Sequence, residues 1–175
     1  MRAEGVGGRV VLQPSTQAHL DGVRDLMRAF IVWHRQRHPD ELALIDQYFD
    51  KIAFEAELAG LPGKYAPPKG RLLLALQEDQ PAGCVALREI DTAFCEMKRM
   101  FVYPRFQGQG IGRALAEEVL RQAKLSGYAC MRLDTGRKQV EAQGLYSSLG
   151  FKEIRPYYEL PPELQNWLVF MERKL

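Results

Sequence analysis

The chain of 175 residues lacks any continuous apolar run of about 18 residues, the length that a membrane-spanning helix requires. Its first eight residues carry a charge at Arg2 but no apolar stretch behind it, so they do not resemble a secretion signal. We expect residues 1–8 to form a frayed terminus. The length and the 46% hydrophobic content suit one compact domain over residues 1–175, and a cytoplasmic location is predicted.

Cysteine is scarce, and its placement argues against both disulfide and metal chemistry. The three cysteines, Cys84, Cys95 and Cys130, are widely spaced, with no Cys-x-x-Cys pair and no Cys/His cluster at zinc spacing. All three stand in apolar, strand-like segments. We therefore predict buried, reduced thiols and no metal site.

The sequence also has almost no excess of positive over negative charge. The net charge is +2, and the sequence has no Lys/Arg tract and no repeat that alternates aromatic and basic residues. This pattern disfavours a dedicated nucleic-acid-binding protein, while it is compatible with a protein that binds a polyphosphate ligand.

Hydrophobic periodicity predicts a mixed α/β (α+β) domain. The predicted strands are Val10–Gln13, Arg71–Leu76, Gly83–Ile90, Cys95–Tyr103, Ala129–Thr135, Phe151–Arg155 and Trp167–Glu172. The predicted helices cover Leu20–His34, Leu44–Leu58, Ile111–Ala123 and Gln139–Leu149, and Gly63–Gly70 is predicted to be an ordered loop or flap. This order favours a mixed sheet with helices on both faces.

The stretch from Gln107 to Ala114 is the most informative segment. It joins an apolar strand directly to an amphipathic helix, and its glycines allow a ligand to approach the main chain closely. Free N–H groups at a helix start favour a pyrophosphate, and Arg105 and Arg113 flank the turn. A P-loop is excluded because Arg113 and Ala114 follow Gly112, and a dinucleotide fingerprint fits poorly. A glycine-rich connection without a ligand remains the alternative.

The pattern Gln107-x-x-Gly110-x-Gly112 resembles the coenzyme-binding turn of the GNAT superfamily of N-acetyltransferases. The strand before it, Cys95–Pro104, the segment Leu133-Asp134-Thr135 and the helix that ends in Leu145–Phe151 match in the same order. The resemblance covers Arg71 to Tyr158. It implies a GNAT-like, mostly antiparallel central sheet with helices on both faces and a splayed central strand pair, Lys98–Val102 and Ala129–Thr135.

The resemblance also implies an acetyltransferase that uses acetyl-CoA as cosubstrate. The residues that it assigns to coenzyme binding are Met100, Phe101, Val102, Gln107, Gly108, Gln109, Gly110, Ile111, Gly112, Arg113, Gln139 and Tyr146. A strand N–H near Met100 or Phe101 is expected to stabilise the oxyanion. Gln139 stands where the superfamily commonly has an asparagine, so its contact with pantetheine stays open.

Two residues are predicted to be catalytic. Glu96 lies eleven residues before Gln107 and matches the base glutamate of the histone-modifying members, although an ion pair with Lys98 on the same strand face is an equal alternative. Tyr146 matches the tyrosine that acts as general acid near the coenzyme sulfur, and its alternative is a core tyrosine.

The acceptor, a small-molecule or peptide amine, is expected to bind against the first two helices and the loop Lys64–Pro68. His34 is interpreted as a structural residue because it lies on an apolar helix face. Two further questions stay open from the sequence. The fold could serve as a non-catalytic acyl-CoA sensor, and the last two strands could pair between subunits of a homodimer.

Overall fold

The computed structural model describes residues 3–5 and 8–175, within which eight strands form one sheet and six α-helices pack around it. The strands are β1 (Ala3–Gly5), β2 (Arg9–Leu12), β3 (Arg71–Gln77), β4 (Gln80–Glu89), β5 (Phe94–Val102), β6 (Cys130–Gly136), β7 (Lys152–Ile154) and β8 (Leu168–Lys174). The helices are α1 (Gln17–Arg37), α2 (Leu42–Tyr48), α3 (Lys51–Ala59), α4 (Ile111–Leu125), α5 (Val140–Ser148) and α6 (Pro162–Trp167).

The strand order is β1-β2-β3-β4-β5-β6-β8-β7, and every neighbouring pair is antiparallel except β5 and β6. This confirms the predicted mixed, mostly antiparallel sheet. Within the segment 1–8, Ala3–Gly5 pairs with β2 as an edge strand. Residues 1, 2, 6 and 7 lie outside the described residues.

Helices cover both faces of the sheet, as predicted. Alternate residues of β3 point to opposite faces, so Leu73 packs with the α4 side while Leu72 and Leu74 pack with the α1 side. The core beneath α4 includes Leu115 and Val119, which are fully buried. Helix α4, which was predicted over Ile111–Ala123, is therefore held on the sheet by its apolar face.

Two helical predictions were wrong. The single helix expected over Leu44–Leu58 is divided into α2 and α3, because Asp50 caps a new helix by accepting a hydrogen bond from the N–H of Ala53 at 2.9 Å. The proline-rich link before the last strand contains α6, with Pro162 at a position where a helix needs no N–H donor.

The cysteine prediction is confirmed in its main point. Cys84 and Cys95 are buried, Cys130 is half-buried, and all three thiols are free. Burial raises the pKa of Cys84 and of Cys95 to about 12, so these thiols stay protonated.

Within the described residues, no helix is long and apolar enough to cross a membrane, and no three His, Cys, Asp or Glu side chains converge as metal ligands.

Candidate active site

The central strands β5 and β6 part from each other halfway along their length. They pair in parallel at Phe94, Cys95 and Glu96, and the last pair joins Glu96 to Arg132. Beyond that point β5 bends at a bulge, where Arg99 adopts a φ of 59° and the register against β4 shifts. The result is a gap between the carboxyl-terminal halves of the two strands, as the resemblance implied.

A cavity of about 490 Å³ occupies this gap and connects the two faces of the sheet. Ten of the predicted site residues line it: Met100, Phe101, Val102, Gln107, Gly108, Gly110, Ile111, Gly112, Gln139 and Tyr146. Gln109, Arg113 and Glu96 are not among the residues that line it. The sequence-predicted residues therefore converge, with these three exceptions.

The glycine turn presents the start of α4 to the cavity. Gly108 and Gly110 have φ values of 76° and 80°, which a residue with a Cβ adopts only under strain. Gly110 is the N-cap, and no side chain among the described residues caps the helix. The first N–H groups of α4 thus remain available at the positive end of the helix dipole. The side-chain amide of Gln107 donates a hydrogen bond to the carbonyl oxygen of Val102 at 3.0 Å and fixes the turn to the end of β5.

The arginines that flank the turn have partners within the protein. Arg113 donates to the hydroxyl of Ser148 over 2.7 Å and lies 3.5 Å from Glu117. The guanidinium of Arg105 lies over the ring of Tyr103, 4.8 Å from its centroid. Neither arrangement directs the charge of these arginines at the first turn of α4.

Sequence reasoning missed a third arginine at this turn. Arg9, on β2, donates a hydrogen bond from Nη2 to the carbonyl oxygen of Gln109, and its Nη1 lies beside Gly110. Its Nε is buried and has no hydrogen-bond partner within residues 3–5 and 8–175. No local pattern marks Arg9, because the contact joins residues 100 positions apart in the chain.

Tyr146, on α5, is buried and lines the same cavity. Helix α5 places its ring against Phe151, with centroids 5.9 Å apart, and the side chain is only 6% exposed while still lining the cavity. Burial, with a smaller contribution from the charge of Asp134, raises the pKa of Tyr146 well above its usual value. The phenol therefore remains a proton donor at physiological pH. Gln139, the N-cap residue of α5, also lines the cavity.

Glu96 lies beneath the gap in a buried ionic network. Its Oε1 accepts from Nε of Arg88 over 2.7 Å and lies 3.7 Å from Nζ of Lys98, while Tyr157 donates to Oε2. The ion pair with Lys98 that the sequence left open is thus present, although Arg88 is the closer partner. Glu96 lines a second cavity of about 260 Å³, and Lys98 lines both cavities.

Asp134 lines the main cavity, as Glu141 also does, and sequence reasoning did not assign Asp134 a role. The hydroxyls of Tyr48 and Tyr158 donate to its two oxygens, and Nζ of Lys98 lies 3.7 Å away. Burial disfavours the charged form of Lys98, but the carboxylates of Asp134 and Glu96 outweigh burial and raise its pKa. Tyr48 comes from α2, 86 residues away in the chain, so only the fold reveals this cluster.

The first two helices contribute Trp33, His34 and Tyr48 to the lining of the cavity. The loop Lys64–Pro68 does not line it. Lys64 and Tyr65 instead line a separate cavity of about 500 Å³ beneath α2 and α3. His34 is 1% exposed, consistent with a structural residue in the wall.

These features fit a ligand with an extended arm and a phosphate group at one end. The uncapped start of α4 is suited to phosphate oxygens, and the gap exposes strand backbone along which an extended arm can lie. Tyr146 and Asp134 both line this cavity.

Comparison with known proteins agrees with this geometry. The family model described as Acetyltransferase (GNAT) domain matches residues 68–153. An uncharacterized N-acetyltransferase of Schizosaccharomyces pombe is 41% identical over 127 residues, which are 67% of this chain and 78% of that protein.

Solved structures share the fold over nearly the whole chain. An acetyltransferase from Streptococcus agalactiae superposes with a TM-score of 0.73 at 23% identity, over 96% of this chain and 99% of that one. An N-acetyltransferase from Thermoplasma acidophilum, crystallised with coenzyme A, superposes with a TM-score of 0.71 at 18% identity, over 95% of this chain and 99% of that one.

Proposed function

The chain belongs to the GNAT family of N-acetyltransferases and is an acyltransferase, and from this premise we propose that it transfers the acetyl group of acetyl-CoA to a primary amine by direct attack in a ternary complex. The observation that carries the proposal is the single cavity that connects the uncapped start of α4 to the gap between β5 and β6. The coenzyme A bound to the Thermoplasma acidophilum protein supports the choice of donor.

The glycine turn would hold the pyrophosphate. Backbone N–H groups from Gly108 to Arg113 would donate to phosphate oxygens, and Arg9 would add a charged donor at the same turn. The main chain of Met100 and Val102 would bind the pantetheine arm, and Gln139 would contact it from α5. When bound, acetyl-CoA supplies the activated acetyl group as a thioester.

Transfer requires that charge be stabilised on the thioester oxygen and that the sulfur leave as a thiol. A backbone N–H near Met100 or Phe101 would stabilise the oxyanion that forms when the amine nitrogen attacks the carbonyl carbon. As the carbon–sulfur bond breaks, Tyr146 would donate its phenolic proton to the departing thiolate. The raised pKa of Tyr146 ensures that it carries this proton before the reaction.

The attacking amine must also lose a proton, and Glu96 is the proposed acceptor. Because Glu96 does not line the main cavity, the proton would pass across the wall that Lys98 and Tyr48 form between the two cavities. Asp134 is the alternative acceptor, since it lines the main cavity directly.

Two measurements test the proposed function. Acetyl-CoA at 100 times its dissociation constant is expected to raise the free energy of unfolding by about 2.7 kcal/mol. In the second measurement, we expect the protein to release free thiol from acetyl-CoA only when an amine is present. Mass spectrometry should then detect the acetylated amine. Stabilisation without turnover of any amine would exclude the enzymatic proposal in favour of a coenzyme sensor, and no stabilisation would exclude both.

A further inference from the structure

Five aromatic side chains form a closed circuit in the wall of the main cavity on the α1 side. Consecutive ring centroids lie within 4.6–5.7 Å around the circuit. Its members are Phe30, Phe49, Tyr48, Trp167 and His34, and all five line the cavity. The rings come from α1, the end of α2 and α6, so three helices converge to build this one surface.

Three cations lie in the same wall, and each is already paired with a carboxylate. The pairs are Arg37 with Glu141, Lys98 with Asp134, and Arg99 with Glu57. Each cation also lies over an aromatic ring. Arg37 is 5.1 Å from the ring centroid of Trp33, Lys98 is 5.5 Å from that of Tyr48, and Arg99 is 5.5 Å from that of Phe49.

This arrangement disfavours a charged substrate body of either sign. A substrate with a second ammonium group, besides the amine that reacts, would bring it close to three cations. The carboxylates of this wall are already paired with those cations, so none is free to bind it. A carboxylate would have to break an existing ion pair to gain a partner, and one of the cations, Arg99, is held to Glu57 over 2.7 Å. The wall therefore offers aromatic contact area without a charge left to recognise.

His34 keeps the circuit uncharged. Burial and the neighbouring His38 lower the pKa of His34 to about 4, so its ring is neutral at physiological pH. Its Nδ1 is buried and has no hydrogen-bond partner in the described part of the chain. An imidazole in this position contributes a ring face rather than a charge.

From this wall we infer that the acceptor is a monoamine whose amino group is carried by an uncharged aromatic body, with its ring packed against the circuit of Phe30, Phe49, Tyr48, Trp167 and His34. The inference rests on the proposed function and assigns the substrate class to the same site. Aromatic rings prefer offset or edge-on contacts with other rings, and this circuit supplies such contacts.

A panel of four amines tests this class, with thiol release by the full chain as the measurement. The probes are 2-phenylethylamine, n-propylamine, putrescine and β-alanine. Burial of one ring predicts a kcat/KM for 2-phenylethylamine at least about tenfold above that for each of the others. An equal or higher value for putrescine, β-alanine or n-propylamine would overturn the inference.

A variant pair locates the effect. Phe30→Leu removes one ring of the circuit, and Val32→Ala changes an exposed residue of the same helix as control. F30L is expected to lower kcat/KM for 2-phenylethylamine about fivefold more than kcat/KM for n-propylamine. Equal losses for both amines, or no loss for either, would contradict the inference.

The same experiments separate this inference from the proposed function. If acetyl-CoA stabilises the protein and putrescine or β-alanine is the preferred acceptor, the acetyltransferase proposal stands and the aromatic class is overturned. If acetyl-CoA fails to stabilise the protein, the proposed function itself is overturned. The wild-type panel gives this answer even if F30L does not fold.

Discussion

The Nζ of Lys98 lies 3.1 Å from the hydroxyl oxygen of Tyr48, and this contact forms the wall between the main cavity and the cavity that contains Glu96. Lys98 also lies 3.7 Å from both Glu96 and Asp134. One buried cation thus balances two carboxylates on neighbouring strands, and it stands between the proposed amine site and the proposed base.

Replacement of Lys98 by methionine is expected to destabilise the fold. The change leaves two buried carboxylates with less compensation, which costs about 3 kcal/mol of unfolding free energy. The same change at the exposed Lys152 serves as control and should stay within about 0.5 kcal/mol. Urea unfolding measures both, and equal losses would show that Lys98 is not part of a balanced network.

Glu96→Gln is expected to lower kcat/KM about a hundredfold near neutral pH, because the amine loses its proton acceptor. The loss should shrink as the pH approaches the pKa of the amine, since the free amine then needs no base. A matched control is Glu172→Gln, which removes a carboxylate paired with Arg132 at 2.7 Å, outside the residues that line the three cavities. A loss that is constant with pH would assign Glu96 a structural role and direct attention to Asp134→Asn.

Tyr146→Phe is expected to lower kcat about a hundredfold while the dissociation constant of acetyl-CoA changes by less than about twofold. The phenyl ring keeps its packing against Phe151, so only the proton donor is lost. Tyr128→Phe removes another buried hydroxyl, one that donates to the carbonyl of Lys69 over 2.7 Å away from the cavity. Single-turnover kinetics compare the two variants, and unchanged turnover in Y146F would remove Tyr146 from the acid role.

Arg9→Gln is expected to raise the KM for acetyl-CoA about tenfold, because it removes a charged donor beside the turn that is proposed to hold the pyrophosphate. S-acetylpantetheine, which has no pyrophosphate, should be used equally well by the variant and the wild type. Arg121→Gln, near the far end of α4, provides the control. An effect of R9Q on both donors would mean that Arg9 supports the turn rather than the phosphate.

Acid should weaken the fold through His34. The pKa of His34 is about 4 in the folded protein, compared with 6.5 for an unperturbed histidine such as that of the unfolded chain. Between pH 4 and pH 6.5 the unfolded chain therefore binds a proton at this position that the folded protein does not bind. The stabilising contribution is complete above pH 6.5 and is lost as the pH falls towards 4. Thermal unfolding of His34→Phe should show a shallower decline over this window than the wild type or the control His19→Gln. Parallel curves for all three would contradict the buried, neutral state of His34.

The geometry of the glycine turn could be predicted because it is local. The glycines at 108 and 110 adopt positive φ, and the helix begins directly after them, so the segment carries its own geometry. The strand gap could also be predicted, although only through the resemblance. The division between α2 and α3 had a local signal in Asp50, whose capping role the apolar periodicity concealed.

The polar cluster could not be predicted, because its members meet only in the folded sheet. Asp134 and Tyr48 are 86 residues apart, and Arg9 and Gln109 are 100 apart. Each side chain is ordinary in its local sequence. The pairing of β2 with β3 places Arg9 beside the glycine turn, and the parting of β5 from β6 opens the cavity that Asp134 lines. No single segment encodes either event.

The most direct test of the account is a crystal structure of the protein with coenzyme A. The account predicts the pyrophosphate against the N–H groups between Gly108 and Arg113, with the thiol between Tyr146 and Asp134. Phosphates bound elsewhere, or a thiol outside the gap between β5 and β6, would contradict it.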